Sequence, residues 1–291
     1  MAAMLKITLV MMIWGSIGIF VRLIDLPYME IAFIRALISG ILLLVIRLTF
    51  IKEKVNYSKK SILILMGSGA ALGLNWIFLF KAYKYTSLTN ATVSYYMAPV
   101  FAVILARFIL KETLSWRKIS ALLISVLGIV LILSQGQEKT LVNGNLTLGI
   151  SSGLLAAIFY ALVILVNRVI KDVSGLDKTL IQILSATLML LPFAFMRGQL
   201  EIKDLNTWMF LVLIATVHTA IPYLVYFENL KKISVLKSGI LSYIDPFSAI
   251  LYGYFIFGES LNFFHLLGGT MVLGSVLMSF DRSHGKLKRS S

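Results

Sequence analysis

Asp245 is an aspartate near the middle of a long apolar stretch of the sequence, residues 234–257. An ionised carboxylate in hydrocarbon costs roughly 2.5–3.5 kcal/mol on insertion scales, so we expect Asp245 to face the inside of a helix bundle or a wet cavity. There it would bind a cationic or zwitterionic substrate, and its protonation would offer a route to proton coupling. The alternative is a structural role as the partner of a nearby Lys, Tyr or His.

A histidine and a set of aromatic residues could form the rest of a binding site. Tyrosine and tryptophan faces suit aromatic or cationic amine substrates, the latter by cation–π contact. Each ring could instead pack in the core or belong to an interfacial belt, and His218 could be a buried neutral histidine or a proton-coupling group. Taken together, they predict a central substrate pocket formed by Trp14, Trp76, Tyr95, Tyr96, Tyr160, His218, Tyr223, Tyr243 and Asp245.

Two prolines within apolar stretches predict hinges. Pro99 and Pro246 lie one-third to one-half of the way into their predicted helices. Proline has no backbone N–H, so the carbonyl one turn back loses its helical partner. The resulting kinks could open a cavity, act as hinges for alternating access, or serve packing alone.

The sequence predicts neither a metal site nor a cofactor. The three histidines are scattered at positions 218, 265 and 284, and the chain has no cysteine. No phosphate-binding loop is present, so uphill transport would draw on an ion or substrate gradient. An intramembrane enzyme that uses Asp245 and His218 as acid and base is an alternative. No second deep acid and no nucleophile motif supports it, so the interpretation is a protein that is not an enzyme.

These residues must be positioned by membrane-spanning helices. Of the 291 residues, 59% are hydrophobic and only 14% are charged, against about 25% charged in soluble domains. Ten apolar segments each have nearly the ~20 residues that cross hydrocarbon as a helix, which predicts an all-α polytopic membrane protein with ten transmembrane helices. The segments are residues 7–24, 30–51, 61–81, 89–110, 116–135, 148–170, 180–196, 205–227, 234–257 and 263–280.

The positive residues predict the orientation of these helices. With the N-terminus inside, 20 of the 27 Lys and Arg residues fall on the cytoplasmic side and six fall outside. Because cytoplasmic loops are enriched in Lys and Arg, both termini are predicted to be cytoplasmic. Topology thus accounts for the net charge of +14, and we expect no nucleic-acid partner.

The two halves of the chain repeat each other. An offset of 147 aligns Tyr96 with Tyr243 and Pro99 with Pro246, with seven identities in nineteen positions. Five helices per half is an odd number, so the second copy must enter the membrane from the opposite side, giving a 5+5 inverted-topology repeat. The predicted parts are a first repeat at 1–135, an extracytoplasmic linker at 136–147, a second repeat at 148–281 and a basic tail at 282–291.

The pattern resembles the EamA-type family of the drug/metabolite transporter superfamily. The resemblance lies in the early Trp14-Gly15, Arg35 in the second span, and two blocks that run from Pro99 and Pro246 to a glutamate. Arg35 itself could pair with Glu30 or extend towards the membrane surface. The resemblance implies a cavity between the halves and a secondary transporter, an exporter or facilitator.

Its partners would be the lipid bilayer, in a prokaryotic plasma membrane, and small organic metabolites such as amino acids or amines. Flipping of a lipid-linked molecule by the same scaffold is the alternative. A groove that opens sideways to lipid would favour flipping, whereas a closed aqueous cavity would favour soluble substrates.

Overall fold

The protein is a bundle of α-helices in the computed structural model, which describes residues 2–21, 23–51, 57–86, 88–112, 115–134, 145–195, 202, 204–257 and 262–279. Most of the predicted linker and the basic tail at 282–291 lie outside these residues. The helices are α1 (Ala2–Gly15), α2 (Ile17–Val21), α3 (Tyr28–Phe50), α4 (Lys59–Tyr85), α5 (Leu88–Tyr95), α6 (Ala98–Ile109), α7 (Trp116–Leu133), α8 (Leu146–Val169), α9 (Gly175–Ala194), α10 (Leu205–Ala215), α11 (Ile221–Leu230), α12 (Val235–Ser242), α13 (Ile244–Phe257) and α14 (Phe263–Ser279).

The helical prediction is confirmed within this part of the chain, which contains no strand. Among the described residues, eight continuous or broken helices are long and apolar enough to cross a membrane, and two shorter apolar helices accompany them. Each of these ten units overlaps one of the ten predicted segments. The eight long units are Ala2–Val21, Tyr28–Phe50, Lys59–Ala82, Ala91–Ile109, Leu146–Val169, Gly175–Ala194, Leu205–Leu230 and Val235–Ile256, and the shorter helices are Ile119–Leu131 and Phe263–Met278.

Polar side chains set the beginnings of several helices. Ser58, Asn145, Ser174 and Ser234 each accept a hydrogen bond from the backbone N–H three residues on, at the starts of α4, α8, α9 and α12. Such caps satisfy N–H groups that have no partner inside the helix. At the start of α10, hydrogen bonds from the hydroxyl and the N–H of Thr207 hold the pKa of the Asp204 carboxyl below its usual value.

Breaks in the helices differ from the simple proline kinks expected from the sequence. α5 ends at Tyr95, and Pro99 lies in the first turn of α6. Likewise α12 ends at Ser242 and Pro246 lies in the first turn of α13. The helix therefore breaks just before each proline, because proline is tolerated in the first turn of a helix but disfavoured in its interior. Whether either break moves as a hinge stays a prediction.

Small residues allow close packing of the helices around the interior. α4 packs against both α8 and α9. A Cβ atom on Gly73 would lie 2.7 Å from the Met189 Cβ atom, and one on Gly153 would lie 2.6 Å from the Ser94 Cβ atom. These distances are too short for any side chain, so the glycines bring neighbouring backbones together, as small residues do in membrane bundles.

Candidate functional site

The predicted aromatic residues come together in the interior of the bundle. Trp14 lies with its ring centre 5.0 Å from that of Tyr223, and Trp76 lies 6.2 Å from the same ring. Tyr95 links a second group, at 6.0 Å from Tyr160 and 5.8 Å from Tyr96. We call the whole set the central cluster: Trp14, Arg35, Trp76, Tyr95, Tyr96, Tyr160, Tyr223, Tyr226, Tyr243 and Asp245.

Two pairs in this cluster consist of residues 147 positions apart. The hydroxyl of Tyr243 donates to the backbone carbonyl of Tyr96 at 3.0 Å, and their rings lie 6.3 Å apart. Trp76 and Tyr223 form the second pair. The Tyr96 carbonyl lies at the break between α5 and α6, where a helix no longer satisfies it, so the tyrosine hydroxyl stabilises the break. Tyr243 is fully buried in this conformation.

Asp245 lies within this cluster, in the first turn of α13. The Tyr96 and Tyr223 side chains lie within electrostatic reach of its carboxyl group. Its side chain keeps some accessible surface deep in the bundle. No Lys or Arg of the described chain lies at ion-pair distance from it. A partly accessible carboxyl group without a basic partner among the described residues is a candidate contact for a substrate cation.

The Trp14-Gly15 pair brings α1 against α13. A Cβ atom on Gly15 would lie 2.6 Å from the Asp245 carbonyl oxygen and 3.0 Å from the backbone nitrogen of Ala249. Only a glycine allows this approach of the two backbones. The contact carries the Trp14 ring into the cluster beside Tyr223, so the sequence pair has a structural reason.

His218 contacts α1 instead of Asp245. It lies in a π-helical turn, Thr216–Ala220, between α10 and α11, and its Nε2 atom is 2.9 Å from the Ser16 hydroxyl at the break between α1 and α2. Its backbone carbonyl accepts a hydrogen bond from the Trp14 indole N–H at 2.9 Å. Pro222 stands four residues later and has no N–H to offer that carbonyl. The tryptophan thus satisfies a carbonyl that the proline leaves free.

Arg35 is a member of the cluster that the predicted pocket omitted. Its guanidinium carbon lies 4.6 Å from the centre of the Trp76 ring, and no ion pair with Glu30 is present. Tyr95 and Tyr223 lie within reach of its charge. The sequence signal was an arginine in an apolar span. A surface pair with the nearby Glu30 was an alternative to a contact in the interior.

An ion pair joins the helix ends on the side that the charge distribution assigns to the cytoplasm. A Glu112 carboxylate oxygen lies 3.5 Å from Nε of Arg168, at the end of α8. The same carboxylate accepts a hydrogen bond from the backbone N–H of Val235, at the start of α12, at 3.3 Å. A carboxylate at a helix N-terminus is favourable, so Glu112, in the connection between α6 and α7, joins the first half of the chain to two helices of the second.

A separate groove of about 530 Å³ lies away from the central cluster, between α1, the start of α9 and α11. Apolar residues of α1 and α11 form most of it, and Lys6 and Glu228 lie at its polar end. The described residues contain no group of three or more His, Cys, Asp or Glu side chains that could hold a metal ion.

The chain resembles known transporters over nearly its whole length. The model of the EamA-like transporter family matches twice, over residues 1–134 and 147–280. An uncharacterized transporter of Bacillus subtilis (strain 168), YxxF, is 31% identical over 287 residues, which cover 98% of this chain and 91% of that protein. An uncharacterized transporter of Archaeoglobus fulgidus is 28% identical over 275 residues, covering 94% of each.

A solved crystal structure of another protein has the same fold. It superposes with a TM-score of 0.83 at 15% sequence identity, covering 95% of this chain and 97% of that one. The family model matches in both halves of the chain, and the similar proteins are named transporters. The chain therefore belongs to the EamA-like transporter family and is a multi-pass membrane protein of that family.

Proposed function

We propose that this protein is a secondary transporter of small organic metabolites bearing an amino group, such as amines or amino acids, and that it works by alternating access. The observation that carries the proposal is the central cluster. Within it, Asp245 has no basic partner among the described residues and lies within electrostatic reach of Tyr96 and Tyr223. Aromatic faces and a carboxylate without a basic partner together suit an organic ammonium group.

The proposed architecture is ten transmembrane helices in a 5+5 inverted repeat, with both termini in the cytoplasm of a prokaryotic cell and the substrate near the midplane. The double family match and the contacts between residues 147 apart support it. Residues related by a two-fold axis can touch only near that axis, so these pairs support a site at the centre of the proposed symmetry. Inverted repeats carry their sites at the interface between the halves.

Alternating access further requires that the two sides open in turn. The Glu112–Arg168 contact joins the proposed halves at the cytoplasmic end. We infer that it belongs to a conformation closed on that side and that it separates when the protein opens inwards. Protonation of Asp245 would release a bound ammonium group and so couple transport to protons.

Flipping of a lipid-linked molecule is the second candidate, because the groove between α1 and α11 is apolar with a charged end. Exposed side chains such as Leu9 and Ile221 border it, so it opens towards the surrounding lipid. An acyl chain fits such a groove. The groove contains no residue of the central cluster, so the two candidates predict different sites.

Substrate counterflow in proteoliposomes tests the proposed function. Vesicles loaded with unlabelled phenethylamine should accumulate radiolabelled phenethylamine transiently, whereas protein-free vesicles should only equilibrate slowly. Counterflow with neither phenethylamine nor phenylalanine, together with protein-dependent movement of fluorescent lipid between leaflets, would contradict the proposal and favour flipping.

A further inference from the structure

Among the described residues, Arg35 lacks the carboxylate partner that Arg47 and Arg168 have. Further along the same helix, Arg47 places Nε 2.6 Å from an Asp177 oxygen, and Arg168 lies at ion-pair distance from Glu112. In the described part of the chain, no carboxylate lies at ion-pair distance from Arg35, and its buried Nε has no hydrogen-bond partner. A guanidinium group without such partners inside a membrane protein is costly.

The Trp76 ring offsets part of that cost but leaves the hydrogen-bond donors free. The guanidinium carbon lies 4.6 Å from the ring centre, which is a cation–π contact. A guanidinium group carries five N–H donors, more than a contact with one ring can use. The Arg35 side chain keeps accessible surface, and its terminal nitrogens are not among the buried atoms without partners. The donors are therefore available to a ligand.

Arg35 and Asp245 belong to the same cluster without forming an ion pair with each other. Tyr223 lies within electrostatic reach of both charges. The site thus carries one positive and one negative group, each without a counter-charge among the described residues. A ligand that brings both opposite charges would compensate the two groups at once.

We propose that Arg35 binds the carboxylate of the substrate, so that the transported solutes are zwitterions whose ammonium group lies at Asp245. The planar fork of an arginine matches a carboxylate with two parallel hydrogen bonds. The cation–π contact with Trp76 orients the guanidinium group of Arg35. This assignment rests on the proposed function and adds a second charged contact to it.

Three probes with one carbon skeleton separate the two charged contacts. Phenylalanine carries both charges at pH 7, phenethylamine carries only the ammonium group, and 3-phenylpropanoate carries only the carboxylate. Their affinities are measured by calorimetric titration of the purified protein in nanodiscs. We expect phenylalanine to bind the wild type at least about tenfold more tightly than phenethylamine, since hydrogen bonds to charged groups contribute that much or more.

The variant Arg35→Gln should remove this advantage. The affinity of the variant for phenylalanine should fall about tenfold, to the level of its affinity for phenethylamine. The affinity for phenethylamine should stay as in the wild type. The matched control Arg47→Gln removes the other arginine of α3, which is paired with Asp177, and should leave the ratio between the probes unchanged.

Two results would overturn the assignment of Arg35. One is a wild type that binds phenylalanine no more tightly than phenethylamine, a comparison that holds even if Arg35→Gln does not fold. The other is an equal loss for all three probes in Arg35→Gln, as expected of a residue that only packs on Trp76. If phenethylamine binding still depends on Asp245, the proposed function remains supported. A wild type that binds none of the probes would refute both proposals.

Discussion

Asp245→Asn should lower the counterflow of phenethylamine by at least about tenfold, because it removes the charge that pairs with the ammonium group. Asparagine keeps the size of the side chain and its capacity to hydrogen-bond with Tyr96, so the helices should pack as before. Thermal unfolding of the purified variant checks that expectation. Counterflow in the same preparation then measures the functional loss separately from any loss of fold.

The pH dependence gives the second readout of this variant. In the wild type, lower pH protonates Asp245 and weakens the binding of a cation, so the apparent affinity for phenethylamine should fall as pH falls. In Asp245→Asn that dependence should disappear. Asp25→Asn is the matched control, since Asp25 is exposed in the connection before α3 and outside the cluster. Normal counterflow with unchanged pH dependence in Asp245→Asn would leave that residue only a packing role.

Single cysteines at the two ends of α4 should react from opposite sides of the membrane. The chain has no cysteine of its own, so each introduced thiol reports alone. The proposed topology places exposed Lys60, at the start of α4, inside the cell and exposed Lys84, at its end, outside. An impermeant maleimide added to intact cells should therefore label Lys84→Cys and leave Lys60→Cys unlabelled until the cells are opened.

The inverted repeat requires the reverse order in α8, which corresponds to α1 in the other half. Cysteine at exposed Leu146, where α8 begins, should react from outside, and cysteine at exposed Lys171, just after its end, from inside. Labelling of the beginnings of α4 and α8 from the same side would contradict the inverted topology, because these helices are proposed to run in opposite directions through the membrane.

The sequence carried enough information for the helical segments and for most of the central cluster. Hydropathy alone predicts which segments lie in hydrocarbon, where the backbone must form its hydrogen bonds within the helix. Each predicted segment overlaps a helical unit of the described residues. The aromatic set could be predicted because the repeat places Trp76 and Tyr223, or Tyr96 and Tyr243, at matching positions. In both pairs the rings are in contact.

Features that depend on tertiary contacts could not be predicted in the same way. The π-helical turn at Thr216–Ala220 depends on Pro222, on the Thr219 hydroxyl that donates to the Ile214 carbonyl at 2.9 Å, and on the indole of Trp14. Of these, the Trp14 contact joins residues 204 positions apart, so no local pattern reveals it. The same holds for Arg35, because the nearby Glu30 suggested a local pair, whereas the actual neighbour is Trp76 on another helix.

The position of a bound ligand shows directly whether substrate binds at the central cluster between the two halves. Crystals of the protein soaked with 4-bromophenethylamine would reveal the bromine by its anomalous scattering. We expect a peak among the rings of Trp76, Tyr96 and Tyr223, with the ammonium group at Asp245. A peak only in the groove bordered by Lys6 and Glu228, with none at the cluster, would contradict this expectation.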